Sequence, residues 1–95
     1  MTLSEFKSSL DKQQPPPVAV LLQALWHDGS GNWEKAHTIA QDVTSKEGSW
    51  IHAYLHRKEG DQFNAAYWYN RAGRTMPSHS LEKEWEEIVG ALLNT

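Results

Sequence analysis

His52 and His56 stand four residues apart, a spacing that puts both imidazoles on one face of a helix, where they can share a metal ion or a small ligand. His27 lies 29 residues before His56, and His37 falls on the segment between them. Neutral imidazole is a ligand for zinc or nickel, and near neutral pH it can also act as a general acid or base. A complete metal site needs a third ligand and groups that orient the first ones. The competing reading is structural: the same rings can be core residues hydrogen-bonded to Tyr, Trp, Asn or backbone groups, because a buried polar group without a partner costs about 1–3 kcal/mol. Spacing alone leaves a satisfied core, a small-molecule pocket and a metal site all open. The segment Tyr67-Trp68-Tyr69 with Arg71 is the densest aromatic stretch. Consecutive helical residues point about 100° apart, so at least one of the three rings must meet a surface or a pocket.

Enzyme templates fail elsewhere in the chain. There is no Gly-rich phosphate loop and no nucleophile elbow, and Ala53-Tyr54-Leu55 between the two histidines excludes the zinc-protease motif. No cysteine is present, which removes a disulfide scaffold, a cysteine nucleophile and a thiolate metal site. These exclusions lean the reading away from an enzyme. Asp61, Asn64 and Arg71 fit a cap, a turn and a surface ion pair better than catalysis, and Glu82, Glu84, Glu86 and Glu87 read as a solvated helix face. Residues 1–79 balance eight Lys and Arg against eight Asp and Glu, so the net charge of −3 arises from the one cation and four anions of residues 80–95. No basic stripe exists, so neither nucleic acid nor an anionic membrane is an expected partner. The longest apolar run, Val18 to Leu22, is too short to span a bilayer, and the first residues lack the pattern of a secretory signal. A cytoplasmic protein is expected.

With 95 residues, 39% hydrophobic content and few Gly or Pro, the chain can build one small core. The expected fold is all-α: two stacked antiparallel helical hairpins, a C-terminal capping helix and a short N-terminal helix. Residues 1–17 form a short helix or a partly ordered arm that docks loosely, both readings being open, and end in a Pro-rich break; residues 18–95 form the helical domain. In the arm, Thr2 and Glu5 have capping-box spacing. A first body helix is expected from about residue 17 to 28, with Pro15 to Pro17 at its first turn, and Asn32 is placed to cap a second that stops near Gly48. Ser49 should open a third helix ending at Gly60, Asp61 should cap a fourth ending near Gly73, and a serine at 78 or 80 should cap the last. That last helix carries Leu81, Trp85, Ile88 and Leu92 on one face.

Shifting the chain by 29 residues aligns Leu22 with Ile51, Ala24 with Ala53, His27 with His56, Gly31 with Gly60, Asn32 with Asp61 and Ala36 with Ala65. Each copy reads helix, tight turn at Gly, helix, and neither hairpin can bury its apolar face alone. Gly60, Ala65, Tyr69, Ala72 and Pro77, with Ala53 upstream, stand at the offsets of a tetratricopeptide repeat. Residues 18–77 therefore resemble that family. The first copy matches at Gly31 and Ala36, but Ala40, Val43 and Gly48 replace the expected aromatic, small residue and proline. The string SWIHAYLHRKEGDQFNAAYWYNRAG also resembles a small family of single-domain microbial proteins, a likeness that brings no function with it.

The tetratricopeptide resemblance implies a non-enzymatic module that binds a protein or peptide, without a cofactor, in a groove lined by the first helix of each hairpin. Here that surface maps to Leu21, Leu25, Asp28, Trp50, Tyr54, Arg57 and Lys58. Two repeats make a short groove, which points to a homodimer or to use inside a larger assembly. The alternative expectation is a small molecule or a divalent metal such as zinc or nickel, held between the hairpins by His27, His37, His52 and His56.

Overall fold

In the computed structural model, which describes residues 1–94, the chain is all helical: α1 (Leu3–Ser8) followed by a 3-10 turn (Ser9–Asp11), then α2 (Val20–Gly29), α3 (Trp33–Gln41), α4 (Lys46–Lys58), α5 (Gln62–Ala72) and α6 (Leu81–Leu93). No strand occurs among the described residues. α2 pairs with α3 and α4 with α5 as two helical hairpins, α3 packs on α4 to join them, and α6 lies against α2 and α4.

The two hairpin turns are built alike. Gly31 and Gly60 hold φ of +91° and +88°, a left-handed conformation open to glycine at little cost. The next residue caps the return helix in both: Asn32 accepts from the Lys35 N–H and Asp61 from the Asn64 N–H, each at 3.1 Å. The cap N–H groups donate to the carbonyls of His27 (2.8 Å) and His56 (2.9 Å). The period of 29 is thus a structural repeat as well as a sequence one.

The helix boundaries differ from expectation at two places. α2 starts at Val20, with Pro15 to Pro17 outside it, because the Val18 N–H closes a three-residue turn onto the Pro16 carbonyl and Ala19 follows in extended geometry. α3 stops at Gln41 and α4 is opened by Ser45 rather than Ser49; the Ser45 hydroxyl accepts from the Gly48 N–H at 3.0 Å. Gly48 is therefore inside the helix rather than at a stop. A Cβ there would run into the Val43 carbonyl oxygen, so the glycine permits a close approach of loop and helix.

The core runs through the middle of the molecule and includes Leu25, Ile51, Ala53, Leu55, Ala65, Tyr69, Ile88 and Val89. α4 is its axis, with every residue from Gly48 to Leu55 buried. Ala24, Ala36, Ala53 and Ala65 are fully buried at the repeat-related sites, where small side chains let helices approach. The N-terminal arm is a packed part of this core, not a loose appendage: Phe6 is fully buried, its ring 5.8 Å from that of Trp85, and Trp26 Nε1 donates to the Ser9 carbonyl at 3.1 Å.

Glu84 also departs from its reading as part of a solvated face. It is 1% exposed, because it shares the inner side of α6 with Trp85 and Ile88. Its carboxylate accepts from Tyr69 (2.6 and 2.8 Å), Trp50 Nε1 (3.2 Å) and Arg57 (2.8 Å), so the buried charge is paired and hydrogen-bonded. The same contacts tie α6 to α4 and α5. No helix among the described residues is long and apolar enough to cross a membrane.

Candidate metal centre

Three of the four histidines expected to cluster do so, at the junction of α3, α4 and α5. One ring nitrogen from each of His37, His52 and His56 lies within 4.8 Å of the other two. The helical spacing of His52 and His56 brings their rings near parallel at 4.8 Å between centroids. His37 enters from α3, and its Nε2 is 2.9 Å from His52 Nε2. A contact that short between two ring nitrogens requires one to donate N–H and the other to accept, so the two positions hold a single proton between them.

The surroundings fix each ring. Trp33, the first residue of α3 and one turn before His37, stacks on it at 4.9 Å and 11°, while its own Nε1 donates to the Leu55 carbonyl of α4 at 2.8 Å. Trp68 of α5 stacks on His52 at 4.1 Å. Glu59, at the C-cap of α4, lies 2.6 Å from His56 Nδ1, which donates to it. In the neutral ring that bond fixes Nε2 as the nitrogen with the free lone pair, the arrangement by which carboxylates orient metal-binding histidines.

Burial and neighbouring imidazoles push the His52 pKa down from 6.5 to about 4, with desolvation the larger cause. His37 is also lowered, again mainly by desolvation and then by His56. Both rings are therefore neutral near pH 7, as ligation requires. At zinc–nitrogen distances of about 2.0–2.1 Å, tetrahedral ligands stand roughly 3.3 Å apart. The 2.9 Å pair has only to open slightly and the third ring to close in.

His27 is not part of this cluster. Its ring packs edge-on against Trp26, and burial with the nearby Lys35 charge lowers its pKa. A second donor group, His56 with Glu59 and Asp61, shares His56 with the first. Its carboxylates already serve the structure, Glu59 on His56 and Asp61 as the α5 cap with Asn64.

The aromatic run resolves in three directions, with Tyr67 half exposed, Trp68 against His52 and Tyr69 buried on Glu84. Arg71 sits by the first two rings rather than in a surface ion pair, 5.9 Å from the Tyr67 centroid and 5.4 Å from that of Trp68. Trp33, Trp68 and Glu59 support the histidines without being expected from the sequence. Two were visible in the spacing, Trp33 four before His37 and Glu59 three after His56.

The seven groove residues lie largely inside the molecule. Leu25, Asp28, Trp50 and Tyr54 are buried, and Leu21 and Arg57 are partly buried. Tyr54 donates to Asp28 at 2.7 Å and Lys58 to the same carboxylate at 2.9 Å, while Trp50 and Arg57 bind Glu84 of α6. A cleft of about 310 Å³ remains where Asp28, Tyr54 and Lys58 meet Lys7, Leu10 and Trp85. No family model matches the chain, and no curated protein and no solved structure matches it either.

Proposed function

We propose that this protein binds a divalent transition metal, zinc or nickel being the expected ions, through Nε2 of His37, His52 and His56. The observation that carries the reading is the mutual contact of the three rings, with two nitrogens at 2.9 Å and the third within 4.8 Å. Histidines kept only for packing are expected to pair with carbonyls or hydroxyls; here His37 and His52 turn Nε2 toward each other, and His56 keeps a ring nitrogen within 4.8 Å of both. Glu59 holds His56, Trp33 and Trp68 wall the site, and the neutral state of His37 and His52 removes proton competition near pH 7.

The test is thermal unfolding with zinc, nickel or magnesium. At about a hundredfold excess over Kd, binding to the native state adds about 2.7 kcal/mol. For a chain of this size that raises Tm by about 10–20 °C. Zinc or nickel should do this and magnesium should not. The His52→Ala, His56→Ala double variant should show no shift, and parent and variant curves that coincide would remove the proposal.

A second reading, recognition of a protein segment, is supported by a separate observation. Phe63 is 85% exposed and Tyr67 51%, one turn apart on α5, with Arg71 a turn further on. Exposed aromatic residues beside an arginine are typical of binding hot spots. The matched turns at Gly31 and Gly60 support a tetratricopeptide-like relationship for the hairpins, and a cytoplasmic setting belongs to this reading. Partners captured equally by the parent and by a Phe63→Ala, Tyr67→Ala variant would exclude the α5 face.

A further inference from the structure

The three-histidine centre supplies fewer ligands than a tetrahedral ion takes. Among the described residues the donor group around His37 and His52 contains only one further residue, His56. The carboxylate nearest to it, Glu59, is engaged on His56 Nδ1, on the side of the ring away from the nitrogen left free to ligate. Three neutral imidazoles bring no charge of their own to the ion, and Glu59 stands off it behind His56. Such an ion favours an anion in its fourth position and makes bound water much more acidic. His37 and His56 are partly exposed, so the outer edge of the cluster meets solvent while His52 closes its floor.

We propose that a fourth position at this centre holds water, and that the resulting metal-bound hydroxide hydrolyses small aryl esters. The inference rests on the metal reading above. Water loses one proton to solvent on the metal, and the hydroxide oxygen attacks the ester carbonyl carbon. As the new carbon–oxygen bond forms, the bond from the acyl carbon to the aryl oxygen breaks. The electron pair leaves on the phenolate, the acid formed gives its proton to solvent, and another water takes the metal position. Glu59 accepts from His56 and has no proton to give a departing oxygen, so the substrate class is aryl rather than alkyl, because a phenolate leaves without acid assistance.

The probes are cobalt, whose visible spectrum reports coordination number and water ionisation, and 4-nitrophenyl acetate as substrate. The expected result is a spectral change with a midpoint near pH 7, and a zinc-dependent hydrolysis rate that rises through the same midpoint. Metal-free protein sets the background, since free imidazole also attacks this ester. Zinc should raise the rate about tenfold or more over that background, and the gain should vanish in His37→Gln, with circular dichroism confirming that the variant is folded. Cobalt that binds with a spectrum unchanged between about pH 6 and pH 9, together with hydrolysis equal with and without zinc, overturns the open position and leaves the metal reading standing. Failure of cobalt and zinc to bind at all overturns both.

Discussion

Acid should unfold this protein earlier than its carboxylates alone would dictate, and His52 is the reason. In the unfolded chain its imidazole takes a proton at the ordinary value of 6.5; in the fold, 6% exposed between Trp68 and two other imidazoles, it does so only at about 4. Above the unfolded value both states are neutral and His52 adds no pH dependence. Between the two values the unfolded state binds a proton that the native state refuses, so stability falls as pH falls. At pH 5 the difference is about 2 kcal/mol, and it approaches roughly 3 kcal/mol near pH 4. His37 is displaced in the same direction and adds to the loss. The assay is urea unfolding of metal-free protein at pH 7.5 and pH 5, a window in which most carboxylates stay ionised. The His52→Gln variant, which has no proton to take there, should lose less stability across that step by about 2 kcal/mol. Equal losses in parent and variant would refute the reasoning, as would a folded-state His52 resonance that titrates near 6.5.

Four substitutions separate backbone, hydrogen-bond and charge contributions to the same framework. Gly60→Ala meets no neighbouring atom but must hold φ of +88°, so it should cost about 1–2 kcal/mol in denaturant unfolding; Gly48→Ala, which runs into the Val43 carbonyl, should cost more. Tyr54→Phe leaves Asp28 with Lys58 as its remaining side-chain partner and should cost about 1–3 kcal/mol, read from the urea midpoint. Glu84→Ala strips Tyr69, Trp50 and Arg57 of a shared acceptor and should cost about 3–5 kcal/mol, with α6 the first helix to lose hydrogen-exchange protection.

What could be read from the sequence was what local chemistry decides. Thr2, Asn32, Asp61 and Ser80 cap helices because each offers a side-chain oxygen to an N–H three residues on. Gly31 and Gly60 mark turns because only the turn needs their conformation. Ser45 rather than Ser49 opens α4, where Gly48 comes against Val43, a loop contact that periodicity does not encode. Glu84 departs from its pattern for the same reason. Its acidic neighbours describe the outer face of α6, while its burial depends on Tyr69, Trp50 and Arg57 arriving from two other helices. The grouping of His52 with His56 was legible in their spacing, and the arrival of His37 depended on α3 packing against α4.

The two sides of α4 carry the functional argument. Toward α2 and α6, four groups of α4 have internal counterparts: Tyr54 and Lys58 take Asp28, and Trp50 and Arg57 take Glu84. Those pairs combine acids with donors, so they neutralise themselves and fasten helices. Toward α3 and α5, His52 and His56 meet a third imidazole, and Glu59 holds His56 from its far nitrogen. Three groups of the same kind cannot all be protonated together at this separation, and they gain little from one another as neutral rings. They share one property that the acid pairs lack, which is ring nitrogens gathered within 4.8 Å of one another. A cation placed there turns mutual crowding into coordination, and the stacked walls of Trp33 and Trp68 keep the rings in place before it arrives.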